Sequence, residues 1–370
     1  MPRVRRSAVL LAPAALAATL AAVGSLVADQ VVDVRRSPRY AYRVVAADDR
    51  SVTLRRSRAT ERVGTYGLAY PGGHAVAGEV LGRTRTTVVR PIVRVVGAPP
   101  RPGRAALDHV DVGDPASAFG FDFFEVDLES DVGVCPAWVV PASGDTWAIV
   151  VHGYGGRRSS ALSFLPILRD LGITAVVPAY RNDPDAPPSP DRRYHLGETE
   201  WRDVDAAISY ALSSGADRVV LYGWSMGAAI VLQAWARSAS RGRVAALVLD
   251  SPVVDWRSVL RHLGQRRHVP RTVVRCAMRL VERRVDVDFD DLDWLRRAGE
   301  LDVATYLVHG DDDLTVPFGP SVELARLRPD LVTLRVVPGA GHVGSWNVDP
   351  EAYARSLGEF LAPVLAGAPA

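Results

Sequence analysis

"LYGWSMGAAI", residues 221–230, sets a serine between two glycines, after an apolar run that reads as a buried strand and before one that reads as a helix. Gly223-Trp224-Ser225-Met226-Gly227 has the GxSxG spacing of a nucleophile elbow, in which the glycines let the chain turn sharply around a serine held in a strained conformation. Such a turn presents the hydroxyl at a helix N-terminus, where the dipole and free N–H groups favour developing negative charge. The alternative is an ordinary strand-to-helix turn with Ser225 as N-cap. The surrounding sequence decides between them.

On both sides of the elbow, apolar β runs alternate with helical patterns, which predicts a doubly wound, mostly parallel α/β sheet. "TWAIVVHG" (146–153), "ITAVVPAY" (173–180), "RVVLYGWS" (218–225), "VAALVLD" (244–250), "VATYLVHG" (303–310) and "LVTLRVV" (331–337) are the strands. Helices are expected near 160–172, 199–215, 226–237, 320–327 and 350–365. Nearly continuous apolar strands are what burial on both faces demands. In such sheets reactive groups collect at the carboxyl ends of strands. Those ends carry His152, Tyr180 to Asp183, Ser225, Asp250, Asp311 to Asp313 and His342.

A serine hydroxyl needs a base, and the chain contains no lysine, so Ser-Lys dyads and Schiff-base chemistry are excluded and the base must be a histidine. His342 stands in "PGAGHVGSWN" (338–347), a glycine-rich loop after the last strand that is free to place its ring over Ser225. The carboxylate comes from "LVHGDDDLTVP" (307–317), giving the chain order serine, acid, histidine.

With these motifs in place, residues 110–362, roughly two thirds of the chain, resemble a serine hydrolase of the α/β-hydrolase fold, in its esterase-like and prolyl-oligopeptidase-like group. The elbow, the "HGYGG", "HGDDDLTVP" and "GAGH" loops follow the family's order. The resemblance implies HGxxDxxVP for the acid loop, which matches His309, Gly310, Asp313, Val316 and Pro317 and so selects Asp313, with Asp311 and Asp312 shaping the loop or solvated. Asp250 stays as the rival acid. The oxyanion donors it implies are the backbone N–H groups of Met226 and Tyr154. His152 and His309 read as loop-bracing. Ala228 stands where many relatives carry a further glycine, and it is small enough to keep the helix against the sheet.

Residues 253–302 interrupt the alternation with a helical, charged stretch that reads as a cap over the strand ends. Within it Arg271, Arg275, Arg279 and Arg283 recur every four residues. Two readings fit: a solvated face balanced by "DVDFDDLD" (286–293), or a basic face for an anionic membrane or substrate. The loop 180–201 also borders the expected pocket, where Arg181 and Asn182 read as structural more than substrate-binding.

From Arg43 to Val96 short alternating stretches punctuated by glycine and proline predict a small antiparallel β unit, within a β-rich N-terminal segment 31–104. "GAPPRPGR" (97–104) reads as the linker to the domain 105–370. Ahead of this, Arg3, Arg5 and Arg6 precede an apolar run from Ala8 to Ala28, long enough to cross a bilayer. An uncleaved anchor within 1–30 is the preferred reading, and a signal peptide cut near Val23-Gly24-Ser25 is the other; membrane-anchored or secreted placement follows, with orientation open. A net charge of +2 argues against nucleic acid as a partner. The two cysteines, Cys135 and Cys276, are far apart and form no metal motif, though one disulfide stays possible.

The resemblance implies an acyl hydrolase acting on small-molecule or lipid-like esters through an acyl-enzyme, with no metal or organic cofactor. Peptidase, amidase or thioesterase action on the same triad, and a catalytically silent membrane-held binding module, are the alternatives.

Overall fold

The computed structural model describes residues 22–34 and 40–367. Helix α1 covers residues 22–32. The alternating stretches then form β1 (Tyr42–Ala47), β2 (Ser51–Arg55), β3 (Tyr66–Tyr70), β4 (Gly73–Ala77), β5 (Gly82–Arg83), β6 (Thr87–Gly97) and β7 (Gly103–Asp108). All pair antiparallel in the order β2-β1-β7-β3-β4-β6, and β2 pairs β6 in turn, which closes a barrel with β5 added outside β6. Period-two alternation fills its interior with Val44, Val52, Leu54, Leu68, Ala75 and Ala105. The proline-rich stretch expected to link two domains is instead the connection from β6 to β7. Ala105 is buried inside the barrel, so "GRAALD" returns to it as a strand.

Beyond Asp108 come α2 (Pro115–Phe119), β8 (Phe124–Ser130), β9 (Gly133–Val140), β10 (Thr146–Val151), α3 (Leu165–Asp170), β11 (Thr174–Pro178), α4 (Trp201–Ser213), β12 (Arg218–Trp224) and α5 (Met226–Arg237). They are followed by β13 (Val244–Asp250), α6 (Trp256–Arg266), α7 (Arg271–Arg284), β14 (Thr305–Gly310), α8 (Gly319–Leu327), β15 (Val332–Val337), α9 (Ser345–Val348) and α10 (Pro350–Leu365). Eight strands form one sheet, β15-β14-β13-β12-β10-β11-β9-β8, parallel from β15 to β11 and antiparallel at the β9 and β8 edge. This is the α/β-hydrolase fold, with α6 and α7 inserted between β13 and β14 as a cap. β11 and β14 are buried at every residue, as strands covered on both faces must be. The order reverses around β10, which places the crevice at the carboxyl ends of β10 and β12. Ser225 stands at that point.

The expected membrane segment is described only in part. Residues 1–21 lie outside the described residues, so the greater part of the apolar run does too. Its remainder, 22–28, opens α1, and Ala28 and Val32 are buried in one cluster with α5 and the cap. Among the described residues no helix is long and apolar enough to cross a membrane. The Val23-Gly24-Ser25 stretch sits inside this packed helix. Cys135 and Cys276 are both free thiols, and burial pushes Cys135 up to about 12.

Candidate active site

The elbow is a product of two close approaches. A Cβ on Gly223 would meet the carbonyl of Gly227, and a Cβ on Gly227 would meet the carbonyls of Val151 and His152 at the end of β10. Only glycine fits either place. The chain therefore turns at Ser225, whose backbone has φ 56° and ψ −122°, a conformation that costs a non-glycine residue about 1–3 kcal/mol. In return Oγ stands at the head of α5, beside the Met226 N–H that the helix leaves without an internal partner.

The structure brings Ser225, His342 and Asp313 into one line. Ser225 Oγ lies 2.9 Å from His342 Nε2, and His342 Nδ1 lies 2.7 Å from Asp313 Oδ2. Asp313 is 6% exposed and Ser225 9%. The second oxygen of Asp313 accepts from the amides of Thr315 (2.7 Å) and Val316 (2.9 Å). Since the carboxylate only accepts, His342 carries its proton on Nδ1 and offers Nε2 as acceptor for the serine hydroxyl. Burial by itself raises Asp313, but the His342 and His309 imidazoles beside it hold its carboxyl well below the usual carboxylate range. His309, expected only to brace a loop, touches the acid directly: its Nε2 donates to Asp313 Oδ2 at 3.2 Å, while Nδ1 meets Ser321 Oγ at 2.7 Å.

Asp250 has a different environment. It is fully buried, its oxygens accept from Ser251 Oγ (2.9 Å) and Tyr353 OH (3.1 Å), and burial pushes its pKa up to about 6. A raised carboxyl pKa means that the native state keeps this proton to higher pH than the unfolded chain. Stability then falls as pH rises from about 4 to about 6 and levels off above, a loss of about 3 kcal/mol. Asp250→Asn cannot ionise, so it is expected to remove that slope and to be the more stable protein above pH 6. Urea unfolding at pH 4, 5 and 7 measures this, and equal slopes in parent and variant would refute it.

The turn after β10 is braced from below. His152 Nε2 lies 2.7 Å from Asp183 Oδ2 and its Nδ1 3.0 Å from the Gly153 carbonyl. Both nitrogens face acceptors, so both donate. Burial would lower His152, but the Asp183 carboxylate raises it above its ordinary value. Tyr180 stacks on the ring and donates to the carbonyls of His152 and Gly153. Arg181 and Asn182 do not reach the cavity. Arg181 is buried against Asp203 (2.8 Å) and Asp131, and Asn182 holds the Arg193 carbonyl and the Ser189 amide.

Above the triad lies an apolar cavity of about 360 Å³, with Ser225, Met226, Tyr154 and His342 at one end. Trp256, Val259, Leu260 and Leu263 of α6 and Val274, Ala277 and Val281 of α7 line it, and so do Val27, Gln30 and Val31 of α1. Sequence reasoning missed this last group, because the apolar run was read for its length; the four-residue spacing of Val27 and Val31 was the available signal. The acidic run 286–293 pairs with Arg257 and Arg296 and leaves Arg271, Arg275, Arg279 and Arg283 exposed, without an ion pair among the described residues.

The barrel reaches the same site from the other side. Arg58 pairs with Asp312, one residue from the acid. Thr65 and Asn347 exchange two hydrogen bonds, from the Thr65 amide to the Asn347 carbonyl (3.0 Å) and from Asn347 Nδ2 to the Thr65 carbonyl (2.7 Å). A Cβ on Gly341, next to His342, would collide with the Arg62 guanidinium. The loop 56–65 that makes these contacts is held by buried Arg90, which donates to the carbonyls of Thr60, Arg62 and Gly64 within it and of Gly78.

The sequence profile described as "Alpha/beta hydrolase family" matches residues 148–356, more than half of the chain, and a "Domain of unknown function (DUF8805)" matches 43–108. No curated protein matches the chain. Among solved structures it is similar to the esterase Pf2001 of Pyrococcus furiosus, with a TM-score of 0.56 at 18% identity, covering 68% of this chain and 95% of that one. It is also similar to the 2-hydroxy-6-oxo-6-phenylhexa-2,4-dienoate hydrolase of Rhodococcus sp. strain RHA1, with a TM-score of 0.50 at 16% identity, covering 65% and 99%. At such identities the likeness concerns the fold.

Proposed function

The chain belongs to the alpha/beta hydrolase family, and on that premise we propose that it cleaves carboxylic esters through an acyl-enzyme. The observation that carries this reading is the hydrogen-bonded line Ser225–His342–Asp313 at the end of an apolar cavity. Ser225 Oγ attacks the ester carbonyl carbon as its proton passes to His342 Nε2. The carbonyl oxygen, now an anion, is held by the amides of Met226 and Tyr154. His342 returns the proton to the leaving alcohol, and Asp313 supports the imidazolium in between. Water, deprotonated by the same Nε2, then releases the acid. All of these groups come from the chain itself.

An apolar cavity of this size suits a small acyl group better than an extended peptide, which needs backbone donors and acceptors along a groove. A fluorophosphonate probe together with short p-nitrophenyl esters tests the proposal on the full chain. Labelling of the parent at Ser225, found by peptide mapping, with turnover of the esters is the expected result. A folded parent that is neither labelled nor active would overturn the reading in favour of a silent binding module.

A further inference from the structure

α1 lies ahead of both matched stretches, yet Val27, Gln30 and Val31 face the catalytic cavity. Helical spacing sorts its other side chains. Gly24, Ala28 and Val32 recur every four residues and are buried, while Val27 and Val31, also four apart, stand half-buried at the cavity. Gly24 allows the closest approach: a Cβ there would lie 3.0 Å from Sγ of Cys276 on α7. Polar contacts hold the helix in register. Arg284 of α7 donates to the Ser25 carbonyl (2.9 Å) and the Asp29 carboxylate (2.8 Å), and the Tyr194 amide donates to the Val32 carbonyl at 2.8 Å. The Tyr154 hydroxyl donates to the carbonyls of Asp33 and Gln30, which ties α1 to the turn that bears the second oxyanion amide.

We infer that α1 is the specificity wall of the acyl site, where Val27 and Val31 limit the length of an uncharged, apolar acyl chain. The inference rests on the ester-hydrolase reading and extends it to substrate class. Among the described residues the cavity has no acidic side chain, and its one arginine, Arg267, is engaged by Gln30 Oε1 at 3.3 Å. The absence of a carboxylate gives a cationic acyl group no partner, and Arg267, whose charge Gln30 leaves intact, is solvent-exposed, so the buried apolar lining favours an uncharged chain. Each methylene that finds room in an apolar wall is worth about fourfold in kcat/KM, so a wall residue acts chiefly on chain-length preference.

The test uses full-length variants and the kcat/KM ratio of p-nitrophenyl octanoate to butyrate. Val31→Phe is expected to lower this ratio by about tenfold, and Val31→Ala to raise it. Gly24→Cys is expected to form a disulfide with Cys276 on mild oxidation, detected by peptide mass mapping. Placing Val31→Phe in the cross-linked background keeps the helix from swinging aside, so a displaced wall is told apart from a narrowed one. Ratios within about twofold of the parent in both Val31 variants overturn the inference, whether or not the cross-link forms. Loss of turnover in every protein, parent included, overturns the ester-hydrolase reading instead, and the cross-link then reports the seat of α1 independently of catalysis.

Discussion

Ser225→Ala is expected to lower kcat for ester hydrolysis by about 10⁶-fold, because no acyl-enzyme can form without Oγ. His342 would be left with no proton to take from the elbow, so Ser225→Ala/His342→Ala should be no slower than the single variant. Active-site titration followed by steady-state kinetics measures both, and a loss of less than about 10²-fold in the single variant would sink the nucleophile assignment. The same position carries a stability signature. With φ at 56°, Ser225 and an alanine there are both strained, whereas glycine adopts this conformation freely. Ser225→Gly is therefore expected to be inactive but more stable than Ser225→Ala by about 1 kcal/mol, read as a higher Tm.

Asp313→Asn is expected to cost about 10⁴-fold in kcat with the fold intact. An asparagine amide facing His342 Nδ1 would donate to it and leave the ring proton on Nε2, where it blocks transfer from Ser225. Asp250→Asn, by contrast, should leave turnover in place, since Asp250 is bonded to Ser251 and Tyr353. If Asp250→Asn were the damaging change and Asp313→Asn the mild one, the acid would have been misassigned. The two carboxyls also differ in the sign of their pH effect. Asp313, held low, contributes stability that is present above the unfolded carboxyl range and lost as pH falls, so Asp313→Asn should flatten the acid limb of the unfolding profile. Asp250, pushed up, acts in the opposite sense.

The parts legible in the sequence are those where chemistry or burial restricts the residue type. Gly223 and Gly227 have carbonyls where a Cβ would go, so their spacing announces the turn. Strands such as 244–249 have no polar face, so their position inside a sheet follows from composition alone. The acid could be told from its neighbours only through the HGxxDxxVP resemblance, since Asp311, Asp312 and Asp313 are identical in type. Composition does not separate two uses of residues 22–32, where the same small and β-branched residues would serve a span in lipid or a wall beside a ligand. The Pro-rich stretch 97–104 misled because a connection between two non-adjacent strands of one barrel and a linker between domains share their residues. Contacts such as Arg58 with Asp312, 254 positions apart, have no local trace at all.

The barrel and the sheet are consequently poor candidates for exchange as independent modules. The two hydrogen bonds between Thr65 and Asn347 serve a barrel turn on one side and, on the other, the chain that carries His342. A hydrolase sheet transplanted without its barrel would keep every reacting atom and lose the scaffold that aligns one of them. In a mutational screen scored on turnover, Arg90, which touches four carbonyls and lies apart from the cavity, would then register among the sensitive positions.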